Sequence, residues 1–414
     1  MKKRIYISSA FAVLFFGFII ARLGYIVFSG AYAVSDSYNS YSIVIDTIEP
    51  NLYYSNNRKL TNNVTEKYAL IKPNSKALAE LQNSFDNADE IRKELKYGKP
   101  VLIKSESNDF KYIKLFNVTS TSNNCRQLVS KECSGVLKYL PDTIGRKKFK
   151  FHVDALGRML TGDEGEIVNE NYVTSEGLQL TLNEDIQNIT YDACNRINIG
   201  CAIVMDVRTS SILACVTKPD SSFLNKPFRL YPVGSVFKIL MAACALENGI
   251  NPTYKCEGKI TIGDTVYNCQ KHAHGVQSLE GALACSCNCY FVNLAMLLGE
   301  ERIINTAKDF GFDANINIYD KWNIKSSLLP SVNDLKYYGE LPLLGFGQGK
   351  LMSTPLQICN MLCTAANGGY RNTVKLVTAK VDKFGNRNSV AYEKGEKVIS
   401  NRNSYLLLKL QFSF

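Results

Sequence analysis

Residues 30–165 show no internal repeat and no catalytic constellation, which leaves a stalk or docking role as their reading. Charge is too scarce, at 21% of residues against 46% hydrophobic, for a disordered chain, so globular folding is expected. The thirteen cysteines show no zinc spacing. His272 and His274 have no third ligand near them in sequence and are read as structural. No clear A-x-A site closes the N-terminal apolar run, and Gly30-Ala31-Tyr32-Ala33 is only faintly similar to one, which weighs against a cleaved signal peptide.

What is present starts with Met1-Lys2-Lys3-Arg4 and an apolar stretch over residues 5–28, broken only by Arg22. A spanning helix needs roughly 20 apolar residues, and an arginine near the interface can snorkel. The expectation is a single-pass anchor over residues 1–29, with a cytoplasmic N-terminus and an external remainder. The formal charge of +10 has its densest run at Arg146-Lys147-Lys148 with Lys150. An exported domain does not meet nucleic acid, so a solvated basic face is expected, with anionic lipid or wall polymer as the partner class if it binds at all. An odd number of cysteines leaves at least one thiol unpaired, and such free use outside the cell fits a non-oxidising setting. Cys256 and Cys269 could pair, though nothing requires it. Cys285, Cys287 and Cys289 share one side if extended and no common face if helical.

Short β-like runs occur at residues 41–45, 68–71, 100–103 and 112–118, and the spacing of Leu78, Leu81, Phe85 and Ile91 predicts a helix over 75–97. The texture changes near Glu176, so residues 30–165 and 166–414 are read as two domains. Asn183 is placed to cap a helix. Residues 200–207 and 211–216, joined by Arg208-Thr209-Ser210, read as a hairpin. Helices follow near Ser235, through Leu279 and Leu283, over 290–298 and over 356–366.

The chemistry centres on Gly234-Ser235-Val236-Phe237-Lys238. A serine hydroxyl is a weak nucleophile until a base takes its proton. A lysine three residues on lies one helical turn away on the same face, and burial can lower its pKa enough for that task. The helix start also offers N–H groups to a developing oxyanion. The bare S-x-x-K pattern is usually a surface helix start, so context decides. About fifty residues on, Ser286-Cys287-Asn288 gives an S-x-N pair, whose hydroxyl can shuttle a proton and whose amide can hold a substrate backbone.

Tyr231 to Ile239, this S-x-N, Val204-Met205-Asp206, Asn225 and Gly345-Phe346-Gly347-Gln348-Gly349 with Thr354-Pro355 together resemble the penicillin-binding transpeptidases, and with the anchor and N-terminal domain the class B members. The glycine turn is not a phosphate loop, because no strand leads into it and no G-K-S or G-K-T follows. The resemblance implies an α+β architecture. A β-rich N-terminal pedestal would precede a β-lactamase-like domain, whose antiparallel sheet is flanked by helices. It implies a D,D-transpeptidase of peptidoglycan synthesis, with Ser235 as nucleophile, Lys238 as base, Ser286 as relay and Asn288 positioning the peptide. It implies a bacterial cell-membrane location, no metal and no cofactor. Its partners would be stem peptides, the lipid-linked precursor, the cytoplasmic membrane, β-lactams as inhibitors, and other wall-synthesis proteins.

The sequence departs from the family at Ser210, where glycine is usual, at Val233, where proline is usual, and in the degraded run Ile45-Asp46-Thr47-Ile48-Glu49-Pro50. No K-T-G or K-S-G, the family's third motif, follows Ser286. That motif supplies one oxyanion donor, worth on the order of 100- to 1000-fold in rate. The chain is therefore expected to be truncated before that motif and its sheet strands, and to fold poorly or act weakly on its own. A scaffold role, a β-lactam sensor and a β-lactamase are the other readings.

Overall fold

The computed structural model of the chain describes residues 2–28, 39–81, 85, 87–106, 109–141, 144–173, 175–269, 272–337 and 339–412. Side chains of residues 2–8, 26–28 and 411–412 lie outside it, as does the cleavage-like run Gly30-Ala31-Tyr32-Ala33. The expected anchor forms one helix, Lys2–Phe28. Its described side chains are those of residues 9–25. Among the described residues no helix is long and apolar enough to cross a membrane.

The chain packs as two compact units whose segments interleave, where a single boundary near 166 was expected. The first comprises residues 1–49, 64–120 and 144–172. The second comprises 50–63, 121–143 and 173–414. Pairing is the reason. Asn51–Tyr53 runs parallel to Gly177–Leu180, and Cys125, Leu128, Val136 and Leu137 join the apolar cluster of Leu178, Leu180 and Ile212.

In the first unit, Gly145–His152 lies between Ser40–Ile48 and Glu166–Glu170, and Val64–Ile71 lies between Val101–Lys104 and Lys114–Ser120, all antiparallel. The single helix expected over 75–97 is instead two, Ser75–Leu81 and Ala88–Leu95. Asn83, Ser84, Asp86 and Asn87 stand in that interval, and such side chains compete with helical backbone bonds. Both helices place Ala77, Leu81, Ile91 and Leu95 against Ala69 and Ile71. Two of the four cations in the basic run meet acids across the sheet: Lys148 meets Glu170 at 2.7 Å and Lys150 meets Glu166 at 3.5 Å.

A register shift between Val44 and Asp46 turns the Asp46 side chain inward, where it is 2% exposed. Its carboxylate accepts from Thr119 N at 2.8 Å, Thr119 Oγ1 at 3.0 Å and Tyr172 OH at 2.6 Å. Burial and this carboxylate together push the Tyr172 phenol up to about 12. Asp46→Ala strands three donors, and we expect a loss of about 3 kcal/mol in urea unfolding of this unit; a loss below about 1 kcal/mol would show the network to be dispensable.

In the second unit, Gly177–Leu180 also pairs with Val377–Val381, which carries Arg387–Ser389. Asn183 caps Glu184–Ala193 by accepting from Ile186 N. Gly200–Met205 and Ile212–Lys218 form the expected hairpin as a two-stranded sheet. Ser210, in glycine's usual place, sits at φ 55 in its turn. The main core wraps Lys238–Glu247 and Asn288–Leu298 with Phe237, Leu240, Phe291, Phe310, Phe312 and Leu407.

Candidate active site

The nucleophile turn is tighter than the expected α-helix start. Gly234–Phe237 is a 3-10 turn that runs into the α-helix Lys238–Glu247. In 3-10 geometry side chains three apart eclipse, which brings Lys238 Nζ to 3.1 Å from Ser235 Oγ. Gly234, at φ 63, permits the entry into this turn. Behind it stands the glycine run. Gly234 N donates to Gly347 O at 2.8 Å, and a Cβ on Gly347 would lie 1.9 Å from Gly234 O. Tyr231–Pro232 pairs with Met352–Ser353, so the later segment holds the approach to the turn as well as its first residue.

The S-x-N segment links Leu279–Ala284 to Asn288–Leu298. Of the readings for Cys285, Cys287 and Cys289, neither a strand nor one helix holds. Cys285 caps the first helix, Cys287 caps the second, and Cys289 lies within the second. Ser286 between them has φ 53. This turn aims Ser286 at the lysine: Lys238 Nζ lies 2.8 Å from Ser286 O, 3.0 Å from Ser286 Oγ and 2.7 Å from Asn288 Oδ1. Asn288 Nδ2 donates to Asn268 O at 3.4 Å. All four residues expected from the two motifs are thus gathered around one amine.

The partners of that amine suit a base. Ser286 O and Asn288 Oδ1 can only accept, so they use two N–H groups. A neutral amine then has one lone pair left, facing the two hydroxyls. Lys238 is 2% exposed and forms no ion pair with a carboxylate among the described residues. Burial lowers its pKa to about 8, against a smaller upward pull from Cys269, Cys287 and Cys285. Ser235 itself is exposed, so a substrate can reach it. Asn225 is buried, and neither of its side-chain amide atoms has a hydrogen-bond partner among the described residues.

Beside the S-x-N link, the sequence reading missed a cluster. Cys256, Cys269, His274 and Cys287 bring one ligand atom each to within 4.8 Å of one another. The thiols of Cys256 and Cys269, which could have paired, are free. His272 stays out of the cluster, its ring 4.9 Å from that of His274. The spacing C-x12-C-x4-H-x12-C has no short C-x-x-C step to signal a ligand set.

The family model described as the penicillin binding protein transpeptidase domain matches residues 200–407. Penicillin-binding protein PbpB of Mycolicibacterium smegmatis is 28% identical over 276 residues, covering 58% of this chain and 41% of its own length. Peptidoglycan D,D-transpeptidase MrdA of Haemophilus influenzae is 27% identical over 254 residues, covering 50% of this chain and 37% of its own length. The chain therefore spans about two-fifths of these relatives. Among solved structures, penicillin binding protein 3 of Mycobacterium tuberculosis, complexed with aztreonam, superposes with a TM-score of 0.60 at 18% identity, covering 89% of this chain and 75% of that one. That likeness gives the fold as mixed α/β of the transpeptidase type.

Proposed function

Since the chain belongs to the penicillin-binding protein transpeptidase family, as a class B member, we propose that it is an acyl-serine D,D-transpeptidase that cross-links peptidoglycan stem peptides. The observation that carries this is the single buried amine of Lys238, within 3.1 Å of Ser235 Oγ and 3.0 Å of Ser286 Oγ. Ser235 Oγ attacks the carbonyl of the penultimate D-alanine while Lys238 Nζ takes its proton. The N–H groups of the nucleophile turn face the developing oxyanion. As the tetrahedral intermediate collapses, the C–N bond breaks and Ser286 passes a proton to the departing D-alanine amine. The amine of a second stem peptide then attacks the ester, and the proton path runs in reverse. Asn288 orients both the lysine and the peptide. A β-lactam enters the same first step and its ring amide opens.

The helix Lys2–Phe28 is the single-pass anchor in this reading, supported by its apolar sequence and by Lys2, Lys3 and Arg4 at its start. The first unit is then a non-catalytic pedestal, and the second unit acts outside the membrane on lipid-linked precursor, beside other wall-synthesis proteins.

Acylation tests the proposal. Incubated with a fluorescent penicillin, the chain should gain one covalent adduct on the peptide bearing Ser235, and Ser235→Ala should gain none. Acylation should climb with pH through an inflection near 8, because the amine must be neutral and its pKa is lowered to about 8. An adduct on another residue, or a rate still climbing steeply toward an ordinary lysine pKa of about 10.4, would overturn the assignment. A third-motif donor is expected to set the rate of labelling and not the residue labelled.

A further inference from the structure

We propose that a groove across the second unit binds an uncharged oligosaccharide and, resting on the transpeptidase reading, that this is the amino-sugar strand to which the stem peptides are attached. The groove consists of three cavities of about 300, 470 and 500 Å³. Asn317, Thr373 and Glu393 line both the first and the second, and Tyr319, Asp320 and Lys380 line both the second and the third, so the three form one track. One side is the hairpin of Asn315–Tyr319 with Trp322–Lys325, and the other is Val377–Val381 with the segment that follows it. The strand Asn315–Tyr319 carries the track from the first cavity to the third, roughly 14 Å at the usual antiparallel rise, which suits a chain of several sugars.

The lining disfavours an ionic ligand. Cationic side chains and carboxylates are near equal in number among the described lining residues, on a chain whose formal charge is +10. Arg371, the cation best shaped to clamp a phosphate or carboxylate, is already engaged: it donates to Lys308 O at 3.1 Å and Asp309 O at 2.9 Å and pairs with Glu396 at 2.5 Å. Amides and rings remain. Asn360, on the helix Pro355–Ala366, lines the first cavity, is 5% exposed, and its Oδ1 has no hydrogen-bond partner among the described residues. A buried acceptor left unpaired calls for a donor, which a sugar hydroxyl or acetamido N–H supplies. That orphan belongs to a side chain and not to a strand edge, which favours a hydroxylated ligand over a peptide added as a strand. Tyr139, Tyr319 and Tyr392 stand along the track as platforms for sugar rings. Tyr139 stacks on Trp322 with ring centroids 5.1 Å apart, and Tyr392 donates to Val377 O at 2.6 Å. Asn317 donates to Asp320 O at 2.8 Å and Asn323 Oδ1 at 2.9 Å. Groups already fixed in this way lose little freedom on binding. The groove and Ser235 lie in the same unit, so a bound strand raises the local concentration of stem peptide for the nucleophile.

Trp322 is the single tryptophan of the chain, so its emission reports on the Tyr139 ring stacked against it. Titrating the full chain with the hexamer of N-acetylglucosamine should shift that emission to saturation. The hexamer should bind at least about 10-fold more tightly than the dimer, because only the longer chain reaches all three cavities. Asn360→Leu, which removes the unpaired acceptor, and Glu393→Ala, at the joint of the first two cavities, should each weaken hexamer binding by roughly 10-fold. Glu393 is exposed, so its variant tests the groove without disturbing the core. Tyr337→Ala, which removes an exposed ring outside the groove, should leave binding unchanged. Binding is read without acylation, so the groove and the transpeptidase reading stand or fall separately. No response to the hexamer, equal affinity for dimer and hexamer, or undiminished binding in both groove variants would overturn the site. So would a sugar-free stem peptide that moves the emission in the hexamer's place. Equal affinity for a glucose hexamer would overturn the assignment to the amino-sugar strand.

Discussion

Lys238→Met should slow penicillin acylation of Ser235 by about 1000-fold, the middle of the range for a lost general base, while moving the melting temperature by no more than about 5 °C. Both halves follow from the surroundings of one amine. Methionine keeps the length and the apolar stem of a residue that is 2% exposed. It strands Ser286 O and Asn288 Oδ1, which now accept at 2.8 and 2.7 Å, at about 1–3 kcal/mol for each group that stays dry. Against this, an amine whose pKa burial has lowered to about 8 no longer has to be held out of water. The two terms oppose each other in stability, but nothing replaces the base in catalysis. Stopped-flow acylation and calorimetry on the same preparations give both numbers. A rate within threefold of the parent chain would remove Lys238 from the mechanism.

Gly347→Ala should cost at least about 3 kcal/mol of stability and about 100-fold in acylation. The added Cβ would stand 1.9 Å from Gly234 O, 2.7 Å from Gly234 C and 2.9 Å from Phe237 Cβ. The first two are backbone atoms of the nucleophile turn, so relief comes only by displacing Ser235. The φ of 77 at Gly347 adds left-handed strain on top. Two neighbours calibrate the effect. At Gly234, φ is 63 but a Cβ would meet nothing within 4 Å, so alanine there carries only the backbone cost of about 1–2 kcal/mol. At Gly349 the nearest atom is the movable Glu340 Oε2 at 3.1 Å, so a similarly small loss is expected. If the three alanine variants unfold alike in urea, the clash with the turn is not the controlling term.

Several features were legible in the chain because they depend on short spacing. Ser235 and Lys238 are three residues apart, so any helical turn puts them on one face. The Asn183 cap and the hairpin of residues 200–218 follow local rules, and the structure keeps them. Ser286 and Asn288 were found through their likeness to a family pattern; spacing alone could not have placed them 48 and 50 residues from Lys238 and within 3.0 Å of its amine.

Tertiary structure decided what local rules cannot reach. Residues 50–63 and 121–143 belong with the second unit because their strand and helix find apolar partners far along the chain, and no boundary of composition marks them. The same holds for the cysteines. In sequence they look like scattered thiols with one optional pair, and their ligand spacing is long and irregular. Folding a short hairpin, and the pair of strands that brackets it, against the start of a helix brings Cys256, Cys269, His274 and Cys287 within 4.8 Å of one another. The sequence by itself determined the nucleophile and its base, since a single turn of backbone joins them. Only the fold decided what surrounds that pair: the glycine turn that backs it, the φ of 53 that aims Ser286, and the cluster of thiols and imidazole beside them. Each of these depends on contacts between segments distant in the chain, whose meeting is set by packing and not by spacing.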